Sequence, residues 1–496
     1  MLGGRTSLDG VGTAGGEAGW RLLLRGLAEK GGRIAAGGGE GCSAGGTTAP
    51  LLLPCCRRDA SGPGAAEEAV PARFSESSVV TEAVDPVSVG RSDREMHRYE
   101  SVGRLDLGAA GSLPPSKSLL LYLVRMGSFT SAPKIANEDQ ADCDLEMEPQ
   151  RPVTREELLA RCRQELQSLP PQLKRNFTGR YQEQPGPETV RVLQWNLLSQ
   201  ALAEQADGFA CCPDAALDWS KRRWRILEEI LSYQPDVVCL QEVDHYKFLS
   251  ASLGSVGFDG TFYPKPDSPC CYVRGNNGPD GCAIFYDRTK FELVRCEKRV
   301  LEVFTCQSNQ VTLLCIFRRK LDDAELCIVT THLKARQGGL LSSLRNEQGK
   351  DLLDFIRAHR GNRPVIIAGD FNAEPSEPVY RTLMAQRDLP LESSYAVRPA
   401  SGGVREQEPP YTTWKIRREG EVCHTIDYIF YTKPDFQLEA RLDLPTEDQI
   451  GPGRVPSLAY ASDHFSLVAD LALPFRISDQ QVNELLNEGS YHGTAS

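Results

Sequence analysis

At 496 residues with a net charge of −11, the chain is too long for one ordinary domain. It is also too acidic to present a broad basic face to a long nucleic acid, although a small positive pocket is compatible with that balance. Its 16 cysteines are scattered, form no C-x-x-C zinc pattern and indicate an intracellular chain with reduced thiols.

Residues 1–150 are poor in periodic apolar pattern and rich in Gly, Ala, Ser and Pro, which predicts disorder. The basic-apolar island at 20–27 reads either as part of a mitochondrial transit peptide or as unstructured tail. Asp9, Glu17 and Glu29 weigh toward the tail. A second island, 119–125, is too short to span a bilayer. Met126-Gly127-Ser128-Phe129-Thr130-Ser131 follows it and fits the N-myristoylation pattern if Met126 is a translation start. A short isoform acylated at Gly127 would then hold a membrane weakly and reversibly. The expected location is cytoplasmic, with a mitochondrial or membrane-associated isoform.

Residues 151–187 form a capped helix and linker. Thr154-Arg155-Glu156-Glu157 is a capping box, and Leu158, Leu159, Cys162 and Leu166 follow at helical spacing. From 188 to 475 strands and helices alternate. Apolar runs at 190–195, 236–241 and 364–369 end in Asn196, Glu242 and Asp370. Further strands are predicted at 281–286, 292–297, 310–317, 326–332, 425–431, 437–442 and 465–473, with helices at 218–232 and 344–357. The pattern predicts an α/β fold, a two-sheet β-sandwich core flanked by helices. Residues 476–496 are a polar tail with a short helix expected at 480–486.

Strands that each deliver one acid, amide or imidazole at one end point to a single centre built from strand ends. Glu242, Asn196, Asp370, Asn372 and Asp463 supply hard oxygen donors suited to Mg²⁺ or Mn²⁺. His332 and His464 lack the thiolate partners of a structural zinc site. Asp427 and Asp463-His464 suggest an imidazole polarised by a carboxylate, as acid–base or phosphoryl chemistry requires. Metal-assisted attack of water on phosphorus accounts for the whole set.

Gln194-Trp195-Asn196, Leu240-Gln241-Glu242-Val243, Gly369-Asp370-Phe371-Asn372 and Ser462-Asp463-His464 resemble, in order, the motif series of the endonuclease/exonuclease/phosphatase superfamily. Within it the chain resembles the branch of poly(A)-shortening nucleases. That closeness rests on Asp244-His245-Tyr246, Phe262-Tyr263-Pro264-Lys265-Pro266, Asn276-Asn277-Gly278-Pro279-Asp280-Gly281-Cys282, Thr331-His332-Leu333-Lys334-Ala335-Arg336 and Pro409-Pro410-Tyr411-Thr412-Thr413-Trp414-Lys415-Ile416-Arg417. The resemblance implies the superfamily's fold, with Glu242 as principal Mg²⁺ ligand, Asn196 supporting it and Asp463 beside the metal. It also implies that Asp370 positions or deprotonates the attacking water, Asn372 helps to hold phosphate, and His464, oriented by Asp427, stabilises the transition state or acts as base. His332 joins this catalytic set.

For one group within that branch, the resemblance implies removal of the 2′-phosphate of NADP(H) and a link to circadian and metabolic regulation. Lys265, Lys334, Arg336 and Arg417 are the expected phosphate contacts, with Asn309 a further polar one. The rival reading is a poly(A) 3′ exoribonuclease with RNA as partner. It shares the same catalytic residues but needs a cationic track and stacking aromatics, for which Tyr263, Tyr411 and Trp414 are candidates. A non-catalytic scaffold is the third reading, disfavoured because Glu242, Asp370, Asn372 and His464 are all present. A monomer is expected.

Overall fold

The computed structural model describes residues 151–205, 207–397 and 407–474. The expectations for residues 1–150, including Met126, Gly127 and the two apolar islands, and for the tail helix at 480–486 lie outside the described residues. In chain order the elements are α1 (Arg155–Glu165), β1 (Phe177–Gly179), β2 (Thr189–Asn196), α2 (Gln200–Gln205), α3 (Asp214–Leu217), α4 (Trp219–Ser232), β3 (Val237–Val243), α5 (Tyr246–Ser255), β4 (Phe258–Pro264), β5 (Gly281–Asp287), β6 (Phe291–Val303), β7 (Cys306–Arg319) and β8 (Glu325–His332). Then come α6 (Gly339–Arg360), β9 (Val365–Asp370), α7 (Pro378–Met384), β10 (Leu391–Ser393), β11 (Thr413–Arg417), β12 (Gly420–His424), β13 (Asp427–Thr432), β14 (Gln437–Leu442), α8 (Glu447–Ile450) and β15 (Leu467–Ala472).

Two mixed sheets carry the fold, one ordered β1-β14-β15-β2-β3-β5-β4 and the other β10-β13-β9-β8-β7-β6. The strands alternate their side chains between two cores. Val190 and Val192 of β2, Val237 and Cys239 of β3, Ile328 of β8, Ile366 and Ala368 of β9 and Ile429 of β13 meet between the sheets. Leu193, Trp195, Val238 and Leu240 face the other way, against Leu158 and Cys162 of α1, Leu227 and Ile230 of α4 and Phe248 and Leu249 of α5. On the outside of the second sheet, Val365, Ile367 and Phe430 pack under Leu352 and Ile356 of α6 and Val379 of α7. The α/β sandwich expected from the apolar runs is therefore the architecture found.

The capping box at α1 is formed in both directions: Glu157 N–H donates to Thr154 Oγ1 at 3.1 Å, and Thr154 N–H to Glu157 Oε2 at 2.8 Å. Thr154→Ala is expected to cost about 1 kcal/mol of stability, read as a lowered urea midpoint with an unchanged slope. The helix stops at Glu165, with Leu166 as its C-cap, short of Pro170. Several elements were not anticipated: the short β1, α2, α3, α7, β10 and α8, the longer α5 and β4, and the β11–β12 pair, which forms a sheet of its own. The strand predicted at 292–297 extends to 303 and its partner starts at Cys306, giving a long hairpin paired from Phe291↔Arg319 to Val303↔Cys306.

Candidate active site

The between-sheet rows of side chains turn from apolar to polar at one end of the sandwich. Val192 is followed on the same face by Gln194 and Asn196, Cys239 by Gln241, Ile328 by Thr330 and His332, and Ala368 by Asp370. Register brings these ends together: β2 and β3 run parallel with Asn196 beside Gln241, β8 and β9 parallel with His332 beside Asp370, and β13 antiparallel with Asp427 opposite Asp370. The close approach of β8 and β9 requires Gly369, where a Cβ would stand 2.4 Å from the Thr331 carbonyl oxygen. Period-two alternation would turn Glu242 outward. A register shift between Leu240 and Val243, with Glu242 at φ 54°, redirects its carboxylate inward.

The polar ends form one network. Asn196 Nδ2 donates to Glu242 Oε1 at 3.1 Å and to Asp370 Oδ2 at 2.9 Å, while its own oxygen accepts the Leu198 N–H. The Ser199 N–H reaches Glu242 Oε2 at 3.1 Å. His464 Nδ1 lies 2.9 Å from Asp427 Oδ2 and 3.9 Å from Asp370 Oδ2, and His332 Nε2 lies 3.6 Å from Asp370 Oδ2. Gln194 Nε2 donates to both Gln241 Oε1 and Asp427 Oδ1, and Gln241 to Thr330 Oγ1, so the two glutamines tie the sheets together beneath the site.

Burial and charge set the protonation of these groups. Burial pushes Asp370 up, and the neighbouring Asp427 carboxylate pushes it further, to about 7. Burial alone would lower His464, but the Asp427 carboxylate outweighs it and lifts the imidazole to about 9. His332 is driven well below its ordinary value, first by burial and then by Lys265. It is the neutral imidazole of the site, and its Nδ1 is buried with no hydrogen-bond partner among the described residues. Asp463 would be raised by burial but is held far below the usual carboxylate range by Lys415, His464 and Arg417.

Among the described residues, Asp370, Asp427 and His464 bring ligand atoms within 4.8 Å of one another and could hold a cation. Both Asp427 oxygens are already engaged, Oδ1 by Gln194 and Oδ2 by Thr412 and His464. Glu242 is less committed. Each of its oxygens accepts one N–H, and an ionised carboxylate has about four acceptor positions. The Glu242–Asn196 end thus retains hard-oxygen capacity for a divalent cation.

The model of the endonuclease/exonuclease/phosphatase family matches residues 193–464, more than half of the chain. The chain belongs to this family. Nocturnin of Drosophila melanogaster is 44% identical over 435 residues, 78% of this chain and 66% of that protein. Human nocturnin is 46% identical over 325 residues, covering 65% of this chain and 74% of that one. The solved human nocturnin catalytic domain with bound sulfate anion superposes with a TM-score of 0.51 at 40% identity, covering 62% of this chain and all of that domain. Within the family the chain groups with the nocturnins. It is a hydrolase of the phosphatase and nuclease type, and enzymes of this family depend on a divalent metal.

The remaining candidates take separate positions. Lys265 is buried and paired with Asp280 at 2.6 Å. Lys334 is lowered to about 8 by burial and then by the charges of Lys265 and Arg336. Lys265 and Lys334 also both act on His332, placing the cationic group at the catalytic end. Arg417 lies elsewhere in the site, 3.2 Å from Asp207 and 3.5 Å from Asp463. Asp207 is raised to about 6 by burial, although Arg417 opposes the rise. The Asn309 amide is taken at both ends by the Asp267 backbone, so it fastens the loop that follows Lys265. Asn372 donates its N–H to Asp370 Oδ1 at 2.8 Å and its side chain to the Leu333 carbonyl at 3.1 Å.

Several site residues escaped sequence reasoning. Lys415 Nζ donates to Asp463 Oδ2 and lies 3.5 Å from His464 Nε2. Thr412 donates to Asp427 and accepts its N–H. Both sit where the β11 hairpin bridges Thr413 to His464, a long-range contact with no local signature. The proposed stacking aromatics are engaged within the chain. Trp414 lies under the Arg454 guanidinium at 4.0 Å and against Tyr411 at 4.8 Å, and Tyr263 packs at the edge of the between-sheet core.

Proposed function

We propose that the chain hydrolyses the 2′-phosphate of NADP(H), giving NAD(H) and inorganic phosphate, with Mg²⁺ as its cation. The observation that carries this reading is that Lys265 and Lys334 both act on His332 and Arg336 acts on Lys334, a group of cations near the catalytic end suited to a dianionic phosphate, with Lys265 shared with Asp280. A sulfate anion bound to the human nocturnin domain supports it, sulfate being a tetrahedral anion like phosphate. Glu242 and Asn196 would hold the cation, which when bound supplies neutralisation of phosphoryl charge.

The protein's own groups divide the remaining work. Asp370, raised toward neutrality and ionised above about pH 7, is the base that orients water and accepts its proton. His464 carries its proton up to about pH 9 and so acts as a fixed cation toward the developing phosphoryl charge. Asp427 holds that imidazole through Nδ1, and Asp463 holds Lys415 beside Nε2. His332, kept neutral by burial and Lys265, lies 3.6 Å from Asp370 Oδ2.

The poly(A) nuclease reading would use the same centre but needs exposed base platforms, and Tyr411, Trp414 and Tyr263 are half-buried and already engaged in contacts within the chain. The test is phosphate release from NADPH and shortening of a 3′-oligoadenylate RNA by the same preparation with Mg²⁺, with Glu242→Ala as blank. NADPH turnover with RNA intact is the expected result. RNA shortening with NADPH untouched would overturn the reading.

A further inference from the structure

The Leu333–Arg336 segment carries Lys334 and Arg336, two of the cations named above, yet it is neither helix nor strand. Arg336 stands at φ 81°, a left-handed conformation disfavoured for a residue with a side chain. Like charges crowd here, since Lys334 feels both Lys265 and Arg336. Mutual repulsion and backbone strain would both spread such a loop unless it is gripped.

The grip is visible. Arg345 on α6 is completely buried, and its Nη1 donates to the carbonyls of Lys334 at 3.0 Å and Arg336 at 2.8 Å. Its remaining nitrogens fork onto Glu377, at 2.8, 2.9 and 3.1 Å. One turn along α6, Gln348 Oε1 accepts the Lys334 N–H at 3.1 Å and its Nε2 donates to Ser308. Asn372 takes the Leu333 carbonyl from the side of the catalytic acid. Backbone groups on three residues are thus fixed from two directions, leaving the Lys334 and Arg336 side chains free to turn toward a ligand. The Arg345–Glu377 pair is neutral as a unit, so it braces the loop without adding to the charge crowding.

We propose that Arg345, locked by Glu377, is a positioning residue that sets the specificity of this site for a terminal phosphate by holding Lys334 and Arg336 in place. This rests on the phosphatase reading above, which it deepens. Arg345 acts through the loop's carbonyls and touches no substrate. A lysine could not replace it, because an ammonium cannot fork to a carboxylate and two carbonyls in fixed directions.

The test uses the full chain and two readouts: NADPH kinetics, and the thermal upshift produced by inorganic phosphate, which requires no turnover. Arg345→Met is expected to raise the NADPH KM about ten-fold with a smaller change in kcat, and to abolish most of the phosphate upshift; Arg345→Lys should resemble it. In a background carrying both Lys334→Ala and Arg336→Ala the same substitution should add less than about two-fold to KM, because both side chains it positions are already gone. If Arg345→Met does not fold, Glu377→Gln loosens the same fork and reads the same constants. An unchanged KM and upshift, or fully additive effects in the triple variant, would overturn the proposal. Wild-type protein inert toward NADPH but still stabilised by phosphate, with that stabilisation lost in Arg345→Met, would defeat the NADP(H) reading and leave this one standing.

Discussion

Asp427→Asn is expected to move both limbs of the kcat/KM–pH profile toward acid and to lower activity at pH 8 by about 10²–10⁴-fold. The sign follows from the two groups that Asp427 faces. His464 is buried, which by itself favours the neutral ring, and Lys415 opposes its charge as well. The Asp427 carboxylate at 2.9 Å outweighs both and holds the pKa near 9, so the imidazolium is present below that pH and lost above it. With a neutral amide there, only Asp463 at 4.0 Å and Asp370 at 3.9 Å favour the charged ring. The alkaline limb should then fall to about neutrality. Asp370 responds in the same direction: burial raises it first and Asp427 second, so removing that charge lowers its pKa and shifts the acidic limb down. General damage to the site would depress the plateau without moving either limb. A profile whose limbs stay in place would show that Asp427 does not govern the His464 charge.

Much of this centre was legible because its residues end β-branched runs. Val365-Ile366-Ile367-Ala368 leads to Asp370 and Val237-Val238-Cys239-Leu240 to Glu242, and a buried strand that finishes on a carboxylate has few structural reasons to do so. The less legible parts depend on partners distant in sequence. β4, Phe258-Asp259-Gly260-Thr261-Phe262-Tyr263-Pro264, reads as loop because Gly260 and Pro264 interrupt it, yet ladder bonds to β5 along its whole length make it a strand. β6 reads as a strand over 292–297 only, because the charged residues beyond it obscure the continuation of the strand to Val303. Lys415 looks like one more surface cation until the β11 hairpin folds over and buries it against Asp463. Arg345 looks like one more cation of an amphipathic helix, and only tertiary contact reveals what it grips. Strand ends are local facts, whereas the positioning of charge around them is not.

Glu242→Gln is expected to reduce kcat/KM by at least about 10³-fold while leaving the metal-free protein within about 1 kcal/mol of wild type. The side chain keeps its shape, and its carbonyl oxygen can still accept the Ser199 N–H. What disappears is the charge that gives this oxygen pair its affinity for a divalent cation. A loss of about 4 kcal/mol of phosphoryl-charge stabilisation corresponds to a thousand-fold in rate. Asn196 Nδ2 would lose Glu242 Oε1 as an acceptor but keep Asp370 Oδ2, so the cost to the metal-free fold stays small. The left-handed backbone at Glu242 costs on the order of 1 kcal/mol, and a structure retains such strain where it aims a functional group. Two measurements separate chemistry from binding. Mg²⁺ should raise the thermal midpoint of wild type and leave that of Glu242→Gln unmoved, and urea unfolding without metal should give nearly equal midpoints for the two. If the variant kept both the Mg²⁺ upshift and its turnover, the cation would have to sit elsewhere. The Asp370, Asp427 and His464 group would then be its next seat, and Asp370 could no longer serve as an unencumbered base.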